Sequence, residues 1–217
     1  MQYDDRTDAG RQLAERLKTM KDQDVVVVGL PRGGIPVAFE VAKALSAPLD
    51  VLVVRKLGVP VQPELAFGAI GEGGVRVLND SIVRQARLTD ADMAEVERVQ
   101  REELQRRAQR YRRGHERLSL KDRVVVLVDD GLATGATARA ACQVARTQGA
   151  KRVVLAAPTG SAEAIEALAH DADEVVCPEA PAYFYAVGQA YRRFGQTSDD
   201  EVCKLLDRAR GESREPP

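Results

Sequence analysis

A chain of 217 residues, 44% hydrophobic and 30% charged, is long enough to bury a core and too apolar to stay disordered. Its 32 basic and 33 acidic residues leave a formal net charge of -1, so it is not built to coat nucleic acid, and nucleic acid is not an expected partner. Apolar runs stop well short of the roughly 18 residues of a membrane span, no signal-peptide pattern opens the chain, and the odd, scattered Cys142, Cys177 and Cys203 suit buried thiols in a reducing cytoplasm better than disulfides or zinc.

In chain order, a helix is expected near Thr7–Lys18. Val25–Leu30 is a continuous β-branched run, the pattern of a strand buried on both faces. Gly33-Gly34-Ile35-Pro36 opens a helix to about Leu45, with proline in the first turn where its missing N–H costs nothing. Leu49–Val54 reads as a second buried strand. Residues 57–78 read as a hairpin, Leu65–Ile70 and Val75–Leu78 around Gly71-Glu72-Gly73-Gly74, preceded by a mobile approach loop. Residues 81–117 look helical, with Thr89 capping the longer piece and Met93, Val96, Leu104, Ala108 and Tyr111 near helical spacing. Val124–Val128 is a third buried strand, followed by a helix over Ala136–Gln148 that Gly149 ends. A strand at Val153–Ala157, a helix from Ser161, a short strand at Glu174–Cys177 and a final helix from the capping box Ser198-Asp-Asp-Glu201 complete the pattern. Alternating strands and helices imply an α/β fold, a parallel sheet with helices on both faces and functional groups at its carboxyl edge.

The segment from Asp129-Asp130-Gly131-Leu132-Ala133 to Thr134-Gly135-Ala136-Thr137 joins the third strand to a helix. The strand delivers two carboxylates, acceptors for a pair of sugar hydroxyls. Small residues at Ala133, Gly135 and Ala136 let backbone N–H groups approach a ligand, Thr134 and Thr137 add hydroxyls, and the helix N-terminus favours an anion. The unit reads as a binder of a phosphorylated sugar. It lacks the lysine of a Walker A loop, and its acidic pair precedes the loop, unlike a dinucleotide fingerprint.

Val126-Leu-Val-Asp-Asp-Gly-Leu-Ala-Thr-Gly-Ala-Thr137 closely resembles the phosphoribosyl pyrophosphate (PRPP) signature of type I phosphoribosyltransferases. The resemblance implies a Rossmann-like parallel-sheet fold with a lid and a small C-terminal hood. It implies Asp129 and Asp130 at the ribose and at a metal, directly or via water, and Ala133, Thr134, Gly135, Ala136 and Thr137 at the 5′-phosphate. It also implies a pyrophosphate turn at Arg32, Gly33 and Gly34, with a strained peptide matching Arg32-Gly33. The family's strand order would set this turn opposite the acidic pair. A basic pair at the end of the second strand, Arg55 and Lys56, matches one that serves PRPP in adenine and orotate enzymes, a catalytic role in which two cations suit the charge that gathers on the leaving pyrophosphate. Residues 57–78 take the place of the lid; Glu64 and Glu72 within it read as metal, base or protein contacts or, slightly favoured, as solvated.

A hood is expected over about 173–195 together with the last helix, in a single domain over residues 1–217 whose core runs from about 22 to 160. Its base-facing candidates are Val176, Tyr183 and Phe184, because three of the nine Phe and Tyr residues cluster at 183–185 and a flat base suits an aromatic face. Core packing explains those rings about as well. The inserted segment 81–117 carries eight arginines from Arg98 to Arg117, read as a solvated helix with Glu–Arg pairing that would also suit a dimer interface. The resemblance implies transfer of the phosphoribosyl group from PRPP to a nitrogenous base, purine slightly favoured, with substrate-bound Mg²⁺, in a cytoplasmic homodimer. A PRPP-sensing regulator and a phosphate-ester hydrolase on the same fold are the alternatives.

Overall fold

The computed structural model describes residues 2–212, with the side chains of Glu64 and Glu212 outside that description. Helix α1 (Arg6–Leu17) leads into β1 (Val25–Gly29), α2 (Gly34–Leu45) and β2 (Leu49–Val51). β3 (Val54–Val59), β4 (Gln62–Gly71) and β5 (Val75–Leu78) precede α3 (Asp80–Gln85) and α4 (Asp90–Arg112). β6 (Val124–Val128), α5 (Ala136–Thr147), β7 (Arg152–Ala156), α6 (Ala162–Leu168), β8 (Glu174–Val176) and α7 (Asp199–Glu212) complete the described chain.

The central sheet is parallel in the order β2-β1-β6-β7-β8. Alternate strand residues serve opposite faces. Val25, Val27, Val126 and Val128 pack with Leu13 and Leu17 of α1, Val37 and Val41 of α2 and Leu206 of α7. Val26, Val28, Val125 and Leu127 pack with Ala141 and Val144 of α5 and Leu168 of α6. Helices on both faces explain why the strands read as unbroken apolar runs rather than alternating ones. β1 sits between β2 and β6, so connections leave it to either side. That makes a switch point, where the loops after β1 and β6 open next to each other.

The lid region differs from expectation. It is a three-stranded antiparallel sheet, β3-β4-β5, not a hairpin with a loose approach. The second core strand ends at Val51, and Arg55 and Lys56 lie inside β3 instead of at a core strand end. Gly58 and Pro60 disguise β3 as a loop. The register shifts at Gly58, where a Cβ would run into the Pro63 carbonyl, so the glycine permits a bulge in a real strand.

The 81–117 segment divides into α3 and α4, and its residues beyond Arg112 are not helical. Thr89 and Asp92 form the capping box of α4. Met93, Leu104 and Tyr111 are its buried residues. Glu–Arg pairs cover its outer face: Glu95 and Glu102 with Arg98, Glu97 with Arg101, Glu103 with Arg106 and Arg107.

Arg112 breaks that pattern. Its side chain is 11% exposed and meets Asp50 at 2.9 Å and Glu72 at 2.5 Å, two carboxylates that are themselves buried. Nη2 also donates to the Val51 carbonyl. The carboxylates accept backbone N–H groups as well, Asp50 from Leu118 and Glu72 from Val53. Glu72 is therefore not solvated; it joins β2, the lid sheet and the end of α4 through one guanidinium. Removing one partner of a buried, hydrogen-bonded charge network leaves the others unpaired, which costs about 3–5 kcal/mol. Arg112→Met is accordingly expected to lower the unfolding midpoint in urea strongly, while Arg106→Met on the exposed face of the same helix leaves it nearly unchanged.

Candidate functional site

Helix N-termini separate structural from candidate binding positions. Asp5, Asn79, Thr89 and Ser161 cap α1, α3, α4 and α6 with side-chain hydrogen bonds. α2 and α5 instead begin at Gly33 and Gly135, with no side-chain cap. At α5 the first-turn N–H groups keep anion-binding capacity at the carboxyl edge of the sheet. At α2 Gly34 and Ile35 donate to the Leu30 and Arg32 carbonyls and Pro36 has no N–H, which leaves Arg32 and Gly33, not the Gly34 amide, as the turn's candidate anion contacts. Gly135 has φ +72°, and a Cβ there would also press on Leu168. Ala133, Thr134 and Thr137 are exposed, whereas Gly135 and Ala136 are half-buried.

The loop after β1 lies against the acidic pair, as the expected strand order requires. β1 and β6 end in register at Gly29 and Val128, and the Leu30 N–H donates to the Val128 carbonyl at 2.9 Å. A Cβ on Gly33 would fall inside the Asp130 carboxylate. One on Gly34 would lie 2.5 Å from the Val128 carbonyl oxygen and 2.9 Å from the Asp129 Cα. The Gly-Gly pair is what lets these two loops touch. The cis peptide is Pro31–Arg32, one bond before the Arg32-Gly33 position that the resemblance suggested. Arg32 is half-buried in this turn.

Burial, and next to it the charge of Asp130, push Asp129 well above the ordinary carboxylate range. Asp129 Oδ1 accepts the Asp130 N–H at 2.9 Å. Two hard oxygen donors side by side suit Mg²⁺. Among the described residues no group of three His, Cys, Asp or Glu could hold a metal, so any Mg²⁺ here would share these carboxylates with substrate oxygens and water.

Arg55 and Lys56 line a cleft of about 500 Å³ with Thr134, Ala136 and Thr137. β3 thus carries the basic pair to the loop that starts α5, while Arg32 stands in the turn after β1. Arg55 Nε donates to Gln100 of α4 at 2.8 Å, and burial, then Arg107, lowers its pKa.

The aromatic candidates fare differently. Tyr183 is 77% exposed, while Phe184 and Val176 are half-buried. Over the acidic pair there is another aromatic group, absent from the sequence reading. Tyr191 donates its hydroxyl to the Asp130 carbonyl at 2.6 Å and stacks on Phe194 at 4.9 Å between ring centroids. Arg6, from the first turn of α1, pairs with Asp130 Oδ2 at 2.8 Å. Arg6 and Asp130 are 124 positions apart, and no local pattern flags a lone arginine at a helix start. The hood segment also passes over the acidic loop at Val187, against which a Cβ on Gly131 would clash.

A family model described as Phosphoribosyl transferase domain matches residues 2–191. A Mycobacterium tuberculosis protein, from two strains, is named provisionally as a phosphoribosyl transferase; it is 67% identical over 207 residues, 95% of this chain and 47% of that protein. The chain therefore spans about half the length of the curated relatives it matches. The crystal structure of TT1426 from Thermus thermophilus aligns with a TM-score of 0.89 and 46% identity, over 95% of this chain and 98% of that one. A match running from the first described residue, Gln2, to Tyr191 takes in both loops of the site and the strands that carry them, and the chain belongs to the phosphoribosyl transferase family.

Proposed function

We propose that this protein transfers the 5-phosphoribosyl group of PRPP to a nitrogenous base and releases pyrophosphate. The observation that carries the reading is the meeting of the Arg32–Gly34 turn with Asp129 and Asp130, beside an uncapped helix at Gly135. One ligand with a diol between two phosphate ends matches that sequence of groups: acceptors in the middle, N–H donors and cations on either side.

In this reading Asp129 and Asp130 receive the ribose hydroxyls. The Ala133–Thr137 loop takes the 5′-phosphate through backbone N–H groups and the Thr134 and Thr137 hydroxyls. Arg55 and Lys56 add positive charge on that side, and Arg32 with the Gly33 amide takes the pyrophosphate in a turn that the hydrogen bond from Gly34 to the Leu30 carbonyl closes. A ring nitrogen of the base attacks C1 as the C1–O bond to pyrophosphate breaks, with inversion, and the proton of that nitrogen leaves to solvent or to the departing pyrophosphate. No protein nucleophile is needed; the residues position the ligand and stabilise charge as it moves onto the leaving group. Mg²⁺ shared by Asp129, Asp130 and substrate oxygens would spread the pyrophosphate charge. The β3-β4-β5 sheet, beside the cleft, suits a lid that keeps water from the cationic sugar. Tyr183 and Phe184 are the rings proposed to meet a base, and they are the reason to test purines first.

Incubation with PRPP, Mg²⁺ and a panel of purine and pyrimidine bases is expected to release pyrophosphate and form a nucleotide with one of them. Tight PRPP binding without nucleotide formation from any base would instead favour a PRPP sensor. Asp129→Asn combined with Asp130→Asn is expected to lose most PRPP affinity in calorimetry while the circular dichroism spectrum stays unchanged; unaltered affinity would show that the pair does not bind ribose. Gly33→Ala is expected to weaken PRPP binding by at least about tenfold, since the new methyl group displaces the Asp130 carboxylate and removes about one charge-assisted hydrogen bond.

A further inference from the structure

Asp130 is held from three directions. Its carboxylate Oδ2 accepts from Arg6 Nε at 2.8 Å, its N–H donates to Asp129 at 2.9 Å, and its carbonyl accepts from the Tyr191 hydroxyl at 2.6 Å. Arg6 is equally constrained. Its Nη1 donates to the Gly195 carbonyl at 2.7 Å, and its guanidinium carbon lies 3.9 Å from the centroid of the Phe194 ring. The side chains of Arg6 and Asp130 are 12% and 15% exposed, so water screens the pair weakly.

The support comes from two distant parts of the chain joined by backbone hydrogen bonds. Tyr3 donates to the Ala190 carbonyl at 2.8 Å, and Arg192 and Arg193 donate to the carbonyls of Tyr3 and Asp4 at 2.8 and 3.0 Å. Arg193 and Arg192 also pair with Asp5 and Asp4. The residues just before α1 are thereby locked to the segment carrying Tyr191 and Phe194. The planar fork lies on Phe194 while it donates from Nε to Asp130 and from Nη1 to Gly195; a lysine ammonium is a single point donor without that spacing or planar face.

We propose that Arg6 is a positioning residue for PRPP recognition, holding the Asp130 carboxylate in the orientation that receives a ribose hydroxyl. The inference rests on the ribose reading of Asp130 given above. Arg6 acts through Asp130, so its effect on affinity must vanish when that carboxylate is gone, whereas a role in general stability would persist.

The test is calorimetric titration of PRPP with Mg²⁺ into the wild-type protein, Arg6→Gln, Arg6→Lys, Asp130→Asn and the Arg6→Gln/Asp130→Asn double variant, with melting temperatures measured alongside. Arg6→Gln is expected to weaken binding about tenfold, the order of one charge-assisted hydrogen bond. Arg6→Lys, which keeps the charge and loses the fork, falls between wild type and Arg6→Gln. In the Asp130→Asn background Arg6→Gln causes no further loss. Affinity independent of residue 6, or the same factor lost in both backgrounds, overturns the proposal, as does a lowered melting temperature with unchanged affinity. A wild-type protein that does not bind PRPP with Mg²⁺ overturns the ribose reading and this inference together, and so is told apart from a failure of Arg6 alone.

Discussion

The site depends on the absence of two methyl groups. Gly33 and Gly34 leave no room between the loop after β1 and the end of β6, and the Asp129–Asp130 pair occupies the space that their Cβ atoms would need. Parallel pairing of β1 with β6 sets the two loops at one level, and glycine lets them touch. Everything proposed for the ligand follows from that contact: carboxylates in the middle, the Arg32–Gly33 turn and the uncapped N-terminus of α5 beside them.

Charge is distributed by the same logic. The near-neutral total hides three separate arrangements. The outer face of α4 neutralises itself through Glu–Arg pairs in water, where each pair contributes little. Arg112 is buried with Asp50 and Glu72, where it ties the lid sheet to the core. Arg6 stands against the acidic pair, where it offsets part of the repulsion between two adjacent carboxylates. Arginine number says nothing about which of these a given residue does; depth and partners decide it.

Local signals carried much of the architecture. Unbroken β-branched runs marked β1 and β6, the Thr89 and Ser198 caps marked the starts of α4 and α7, and Gly149, at φ +85°, marked the end of α5. Each is legible because its cause lies within a few residues: burial on both faces, a side chain reaching an orphan N–H, or a left-handed backbone. β3 was missed because Gly58 and Pro60 resemble loop residues, and only pairing with β4 shows that they sit at a bulge. Glu72 looked solvated because its partner is forty positions away.

The sequence by itself determined the parallel α/β class and the signature Asp129–Thr137, since strand, acidic pair, small-residue loop and helix start are contiguous. The tertiary structure decided which side chains complete that unit. It brought Gly33 and Gly34 to the acidic pair, carried Arg55 and Lys56 on β3 to the Thr134–Thr137 loop, and set Arg6, Tyr191 and Phe194 over Asp130. The physical reason is range. Backbone capping and strand burial act between neighbours in the chain, whereas ion pairs, ring stacking and steric fit act between neighbours in space, and those are assigned only once the sheet order has closed.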